Sequence, residues 1–261
     1  MEAAATASAR PLTLASLGRR ITSFLFYSRT LWAWLFLAPT LVTLLVVAGR
    51  PLFGTFYLSF TNAQLLTLDE GVGWVGFQNY LTILRDPDWW LALRNTLFFS
   101  ICSVAAETLL GLGIALVLNA EFRGRGLLRA AVLIPWAIPT VISAKMWTWM
   151  YNDMYGVFNA GLSALGVIHE PVAWLSTPQT AMFALVMVDV WKTTPFMALL
   201  ILAGLQLIPK DVYEAAKLDS DSPSKVFFCI TLPLLKPTIA VAVIFRALDA
   251  LRVFDLFYVL T

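Results

Sequence analysis

Eight ionisable side chains stand where an apolar chain has least use for them: Glu107, Lys145, Asp189, Lys192, Arg246, Asp249, Arg252 and Asp255 all fall inside or at the ends of long hydrophobic runs. A charge in such a run is costly, so it marks either an ion pair or a polar pathway. Two chemistries fit these residues. The first is pairing between helices, within this chain or to a second subunit, because unpaired charges there are destabilising. The second is a polar cavity whose carboxylates and cations accept and donate hydrogen bonds to solute hydroxyls. Asp249, Arg252 and Asp255 follow one another at spacings of three, so they drift only slowly around one helix. Trp191, Phe196, Phe254 and Phe257 are close by in sequence and could stack on the flat face of a solute ring. The substrate-path candidates are therefore Trp191, Lys192, Arg246, Asp249, Phe254 and Asp255, with Glu107, Lys145 and Asp189 as further intramembrane charges.

Other chemistries find little support. No His, Cys and carboxylate cluster has metal-ligand spacing, so no metal or other cofactor is expected. The single histidine, His169, has no partner at a useful spacing, and no nucleophile and base pair is evident. There is no GxxxxGK(S/T) phosphate loop, so the chain itself should bind no nucleotide and is not expected to be an enzyme. A net charge of +2, with dispersed cations, gives no nucleic-acid patch. Cys102 and Cys229 should lie at different levels and stay unpaired.

The elements that carry these charges follow from composition and length. The 261 residues are 59% hydrophobic and 13% charged. A soluble domain carries about 25% charged residues, which places this chain in the membrane class. A helix needs roughly 20 apolar residues to cross the hydrocarbon core. Five stretches qualify, at about 31–58, 95–119, 127–151, 180–207 and 237–260. The first lacks a small-residue cleavage site and should remain as an anchor. By rise per residue, Asp189 and Lys192 lie roughly 14 to 18 Å from the outer end of the fourth span, and Arg246 and Asp249 at similar depth from the inner end of the fifth. Pro135, Pro139 and Pro195 are expected to kink their helices, opening room for solute or merely curving the span.

Lysine and arginine alternate between loops in a consistent way. Arg10, Arg19, Arg20 and Arg29 precede the first span; Arg123, Arg125 and Arg129 follow the second; Lys210, Lys217, Lys225 and Lys236 follow the fourth. The stretch from Asn152 to Thr180 has Asp153 and Glu170 and no lysine or arginine. The N-terminus is therefore expected in the cytoplasm, with residues 1–30 as a tail and 31–261 as the membrane domain. Trp32, Trp34, Trp89, Trp90, Trp147 and Trp149 are expected at membrane interfaces, in contact with lipid.

The cytoplasmic loop 208–236 is unlike a plain linker. Lys210 to Leu218 can form one short helix with Val212, Tyr213 and Ala216 along one side. Ser222 and Pro223 form an N-cap and first-position pair for a second helix. Asp221 and Lys225 stand four apart as a surface pair, and Pro233 and Pro237 should end that helix and turn the chain into the membrane. A compact helix pair exposed to the cytosol suggests docking to a partner.

Glu214-Ala215-Ala216, Asp219, Phe227, Ile230, Leu232 and Pro233 resemble, in identity and spacing, the cytoplasmic EAA signature of binding-protein-dependent ABC importers. VGFQNYLTILRDPDWWLALRNTL, GLLRAAVLIPWAIPTVISAKMWTWMYN, VWKTTPFMALLILAGLQLIP and FRALDALRVFDLFYVLT are similar to segments of that family's carbohydrate-uptake, maltose and trehalose-type permeases. The resemblance runs from about Leu35 to Thr261. It implies an all-α, polytopic transmembrane bundle in the bacterial inner membrane, with a sixth span expected after Thr261. It implies a division of labour among this permease, a second permease subunit, two ATP-binding subunits and an extracytoplasmic sugar-binding protein. Coupling to the ATPase would fall to Tyr213, Glu214, Ala215, Ala216, Asp219 and Ser220. The solute would be a disaccharide such as trehalose or maltose. Glycerol phosphate or another polar metabolite on the same scaffold is the alternative, and an ion-coupled carrier using Glu107, Asp189 and Asp249 is a further one. One departure stands out: Ser220-Asp221 replaces the usual Gly-Ala, and serine tolerates a positive-φ turn less well than glycine.

Overall fold

The computed structural model describes residues 29–64, 72–219 and 222–261, without the side chains of Lys217 and Asp219. The tail at residues 1–28, and the expectations resting on Ser220 and Asp221, lie outside the described residues. Two compact units divide at Asp86 and Pro87.

In the first unit, α1 (Arg29–Leu58) is 30 residues long and mostly apolar, with Arg50 inside it, enough to cross a membrane. It contains a wide π turn at Leu45–Gly49, and Pro51 follows two residues later. A proline lacks the N–H that an α turn would use, and its ring crowds the carbonyl four residues back. The wider turn before it relieves that crowding, so the helix continues. Beyond α1, Thr61 bridges to Trp74, and α2 (Gln78–Arg85) folds back. Phe60 stacks on Trp74 at 5.4 Å and meets Phe77 edge-on at 5.3 Å. Asn79 Nδ2 donates to the Ser59 and Thr61 carbonyls, fixing α2 to the end of α1.

The second unit is a helical bundle: α3 (Pro87–Asn119), α4 (Arg125–Ala137), α5 (Thr140–Met150), α6 (Val157–Ala164), α7 (Pro178–Gln206), α8 (Lys210–Asp219), α9 (Pro223–Ala250) and α10 (Asp255–Leu260). Helix α7 is the centre, packing on α3, α4, α5, α9 and α10. Thr177 caps it and Pro178 takes its first position. Small residues let neighbouring helices approach closely, as membrane bundles require. A Cβ on Gly111 of α3 would lie 2.8 Å from Met197 Cγ and 3.1 Å from the Ala198 nitrogen on α7, whereas one on Gly113 meets nothing. Gly111→Val is therefore expected to lower thermal stability by about 1 to 3 kcal/mol, the cost of overpacking. Gly113→Val should melt near the wild type in the same detergent.

The third span, expected over 127–151, is α4 and α5 bent by 89°, the kink expected at Pro139. Pro139 pushes Ile138 into an extended conformation, φ −75° and ψ 131°, which ends α4. Two other expectations are corrected. The fifth span, expected at 237–260, is α9 followed by a break at 251–254 and α10. Pro233 and Pro237 do not stop α9. A second π turn, Phe227–Thr231, again sits two residues before a proline, with the Leu232 N–H donating to the Phe227 carbonyl. At the break, Arg252 Nε donates to the Leu248 carbonyl and caps the last turn of α9. Trp147 is a third difference: it is buried and stacks on Phe158 at 5.3 Å rather than lying at an interface.

The apolar interior of the bundle has two parts. Phe99, Trp147, Tyr151, Leu185 and Leu256 centre the first; Leu118, Met197, Ile201, Leu205 and Leu235 centre the second.

Candidate functional site: a buried charge cluster beneath an exposed polar face

Along α3, α7 and α9, the positions between those two apolar regions are Glu107, Asp189 and Arg246. All three are buried, and Arg246 is 1% exposed. Arg246 Nε donates to Glu107 Oε2 at 2.6 Å and Nη2 to Glu107 Oε1 at 3.0 Å, a two-pronged bond. Nη2 also donates to Asp189 Oδ2. The Thr193 hydroxyl lies 2.6 Å from Glu107 Oε1 as its donor. One guanidinium thus joins three spans. The fork matches carboxylate geometry, which lysine could not reproduce.

A fourth bond leads outward. Arg246 Nη1 donates to Asp249 Oδ2 at 3.4 Å, and the Asp249 side chain is 62% exposed. Its other oxygen faces Arg252 Nη2 at 4.0 Å, and Arg252 is 79% exposed. Lys192, half-buried on α7, lies within electrostatic reach of Asp189 and Asp249. Beyond the break, Phe254 stacks on Tyr258 at 5.5 Å with both rings exposed, and Asp255 is exposed beside them. An exposed charge pair and an exposed ring pair thus follow one another along residues 249–258, and the charge pair joins a satisfied ionic core through Arg246.

The remaining candidates separate. Trp191 meets Trp147 edge-on at 5.5 Å, Phe196 stacks on Trp136 at 5.6 Å, and Phe257 meets Phe99 at 4.9 Å. These rings are engaged in packing, while Phe254 and Tyr258 present open faces. Lys145 stands apart from the cluster, on α5 beside Val141, Ile142 and Trp149. Thr193 and Tyr258 escaped the sequence reading. Thr193 lies one turn beyond Asp189, a spacing that could have flagged it.

On the coupling loop, α8 runs from Lys210 to Asp219. Ala216 is buried and Val212 and Tyr213 half-buried, while Glu214 and Ala215 are exposed and Leu218 is 90% exposed. Lys210 Nζ meets Glu121 at 3.1 Å, and this ammonium holds the Glu121 carboxyl below its ordinary range. Arg129 donates to the Leu118 carbonyl at 2.9 Å and caps α3 on the same side.

Residues 107–261 match the family described as binding-protein-dependent transport system inner membrane component. The chain belongs to this family. It is an all-α, multi-pass inner-membrane component; among the described residues four helices are long and apolar enough to cross a membrane, with a fifth if α4 and α5 count as one span. Among relatives, the trehalose/maltose transport system permease protein MalF of Thermococcus litoralis is 52% identical over 92% of this chain and 80% of its own length. The sulfoquinovosyl glycerol transport system permease protein SmoG of Agrobacterium fabrum is 39% identical over 93% of this chain and 78% of its own. A bacterial alginate ABC transporter, solved in complex with an alginate pentasaccharide-bound periplasmic protein, has a chain that superposes with a TM-score of 0.68. It is 24% identical and the match covers 93% of this chain and 81% of that one, which shows the family's shared fold.

Proposed function

We propose that this chain is the permease subunit of an ATP-driven sugar importer, forming half of the translocation path with a second permease subunit. The single observation that carries the reading is the exposed run of an Asp249 and Arg252 pair and stacked Phe254 and Tyr258 rings within a bundle of this family. Charges and open aromatic rings at one membrane face suit hydroxyl-rich solutes, which need convergent polar groups and a flat apolar surface. The names of the relatives favour a disaccharide such as trehalose or maltose. An extracytoplasmic binding protein would deliver it, as a periplasmic protein accompanies the alginate transporter.

Two ATP-binding subunits would dock on the 208–236 loop, with Tyr213, Glu214, Ala215, Ala216 and Asp219 of α8, and Ser220 after it in sequence, meeting a cleft of one of them. The exposed Glu214 and Leu218 offer that cleft a charge and an apolar knob. ATP-driven closure of the pair would swing the spans between inward- and outward-facing arrangements as rigid bodies. In this reading the N-terminus and residues 1–30 would lie in the cytoplasm and 31–261 in the membrane, in contact with lipid, as the alternation of lysine and arginine between loops suggests. An ion-coupled carrier is less well supported, because the carboxylates of Glu107 and Asp189 already accept bonds from Arg246.

Affinity purification of the chain from its native membrane tests the reading. Co-recovery of a second permease and an ATPase pair, with hydrolysis stimulated by sugar-loaded binding protein, is the expected result. A chain that purifies with no ATP-binding partner would overturn it.

A further inference from the structure

The exposed polar face carries a charge balance with a consequence for solute selection. Three cations, Lys192, Arg246 and Arg252, stand among four carboxylates, Glu107, Asp189, Asp249 and Asp255, a formal excess of one negative charge. Arg246 is buried beneath its partners and offers nothing to a solute. Of the two cations a solute could reach, Arg252 faces Asp249 across 4.0 Å, and Lys192 is half-buried on α7. Asp249 itself is held from below by Arg246 through one oxygen and turns the other toward Arg252.

Resting on the sugar-permease reading above, we infer that Asp249 is a charge-selectivity residue. It neutralises Arg252 so that the path takes neutral glycosides and rejects phosphorylated or other anionic ones. A neutral polyol meets alternating donors and acceptors there. A phosphate ester meets an arginine already engaged and a carboxylate that repels it, and like charges placed together penalise the wrong partner. Removing the carboxylate's charge would leave Arg252 open to an anion, for which a guanidinium is well suited.

The test is direct binding to the purified, assembled transporter without its binding protein, so that only the membrane path selects. Titrations use trehalose, maltose and trehalose 6-phosphate. The wild type should bind a neutral disaccharide at least about tenfold more tightly than the phosphate ester, a difference of about 1.4 kcal/mol. Asp249→Asn should erase or reverse that ratio by strengthening ester binding. Arg252→Gln should move it the opposite way, weakening the ester further. General damage to the fold would shift both variants in the same direction. Equal wild-type affinity for ester and disaccharide, or a ratio unchanged in both variants, would overturn the inference. Failure of the wild type to bind either neutral sugar would instead count against the sugar-permease reading itself.

Discussion

Arg246→Met is expected to be the most damaging single substitution in the chain. Removing the guanidinium leaves Glu107 and Asp189 buried with no cation, and breaking a buried ion pair from one side costs about 3 to 5 kcal/mol. Because Arg246 joins α3, α7 and α9, the loss reaches three spans at once. Thermal unfolding of the purified transporter, together with its yield, measures the effect. The same physics predicts a rescue. Replacing Glu107, Asp189 and Arg246 together by apolar residues of similar volume should recover most of the lost stability, since a well-packed apolar core matches or exceeds a buried triad. Arg246→Lys should recover little, because an ammonium cannot make the forked contact with Glu107. An Arg246→Met protein melting at the wild-type temperature would show that the two buried carboxylates do not depend on this arginine.

The second large effect is expected at Glu214. Its carboxylate is exposed on α8, on the side opposite the half-buried Val212 and buried Ala216, and therefore on the side open to a partner. Glu214→Lys reverses the charge at the proposed centre of the docking surface. Truncating or reversing a charge in a close interface costs 2 to 5 kcal/mol or more when the pair is desolvated. Sugar-stimulated ATP hydrolysis by the purified complex should fall by at least about tenfold, equivalent to about 1.4 kcal/mol of lost coupling. Glu170→Lys, a matching reversal in the loop between α6 and α7, should leave hydrolysis at the wild-type rate. Full stimulation in Glu214→Lys would remove α8 as the coupling element.

Much of the scaffold was legible because the membrane imposes a simple rule of length and polarity. The limits of α8 fell at Lys210, where a run of apolar residues gives way to a short amphipathic helix, and Pro223 opens α9 as its fixed φ prescribes. The effect of the other prolines was not local. Pro139 breaks its span, yet Pro51, Pro195 and Pro233 do not. The difference for Pro51 and Pro233 lies in a π turn two residues earlier, which no residue type announces. The charges were legible as a set but not as pairs. Glu107 and Arg246 are 139 residues apart, and only the rotation of α3 and α9 about their axes brings one beneath the other. Lys145 had the same sequence signature and stands elsewhere. Ring packing was likewise invisible: Trp191 and Phe257 are engaged inside the bundle, whereas Phe254 and Tyr258 are open because the chain breaks at 251–254.

Solute uptake into proteoliposomes holding the assembled transporter tests the central claim most directly. Radiolabelled trehalose or maltose would be offered with its binding protein, once with ATP supplied to the nucleotide-binding side and once with a proton or sodium gradient alone. Uptake that requires ATP and the binding protein, and ignores the gradient, is the predicted result. Uptake driven by the gradient with no ATP present would contradict it.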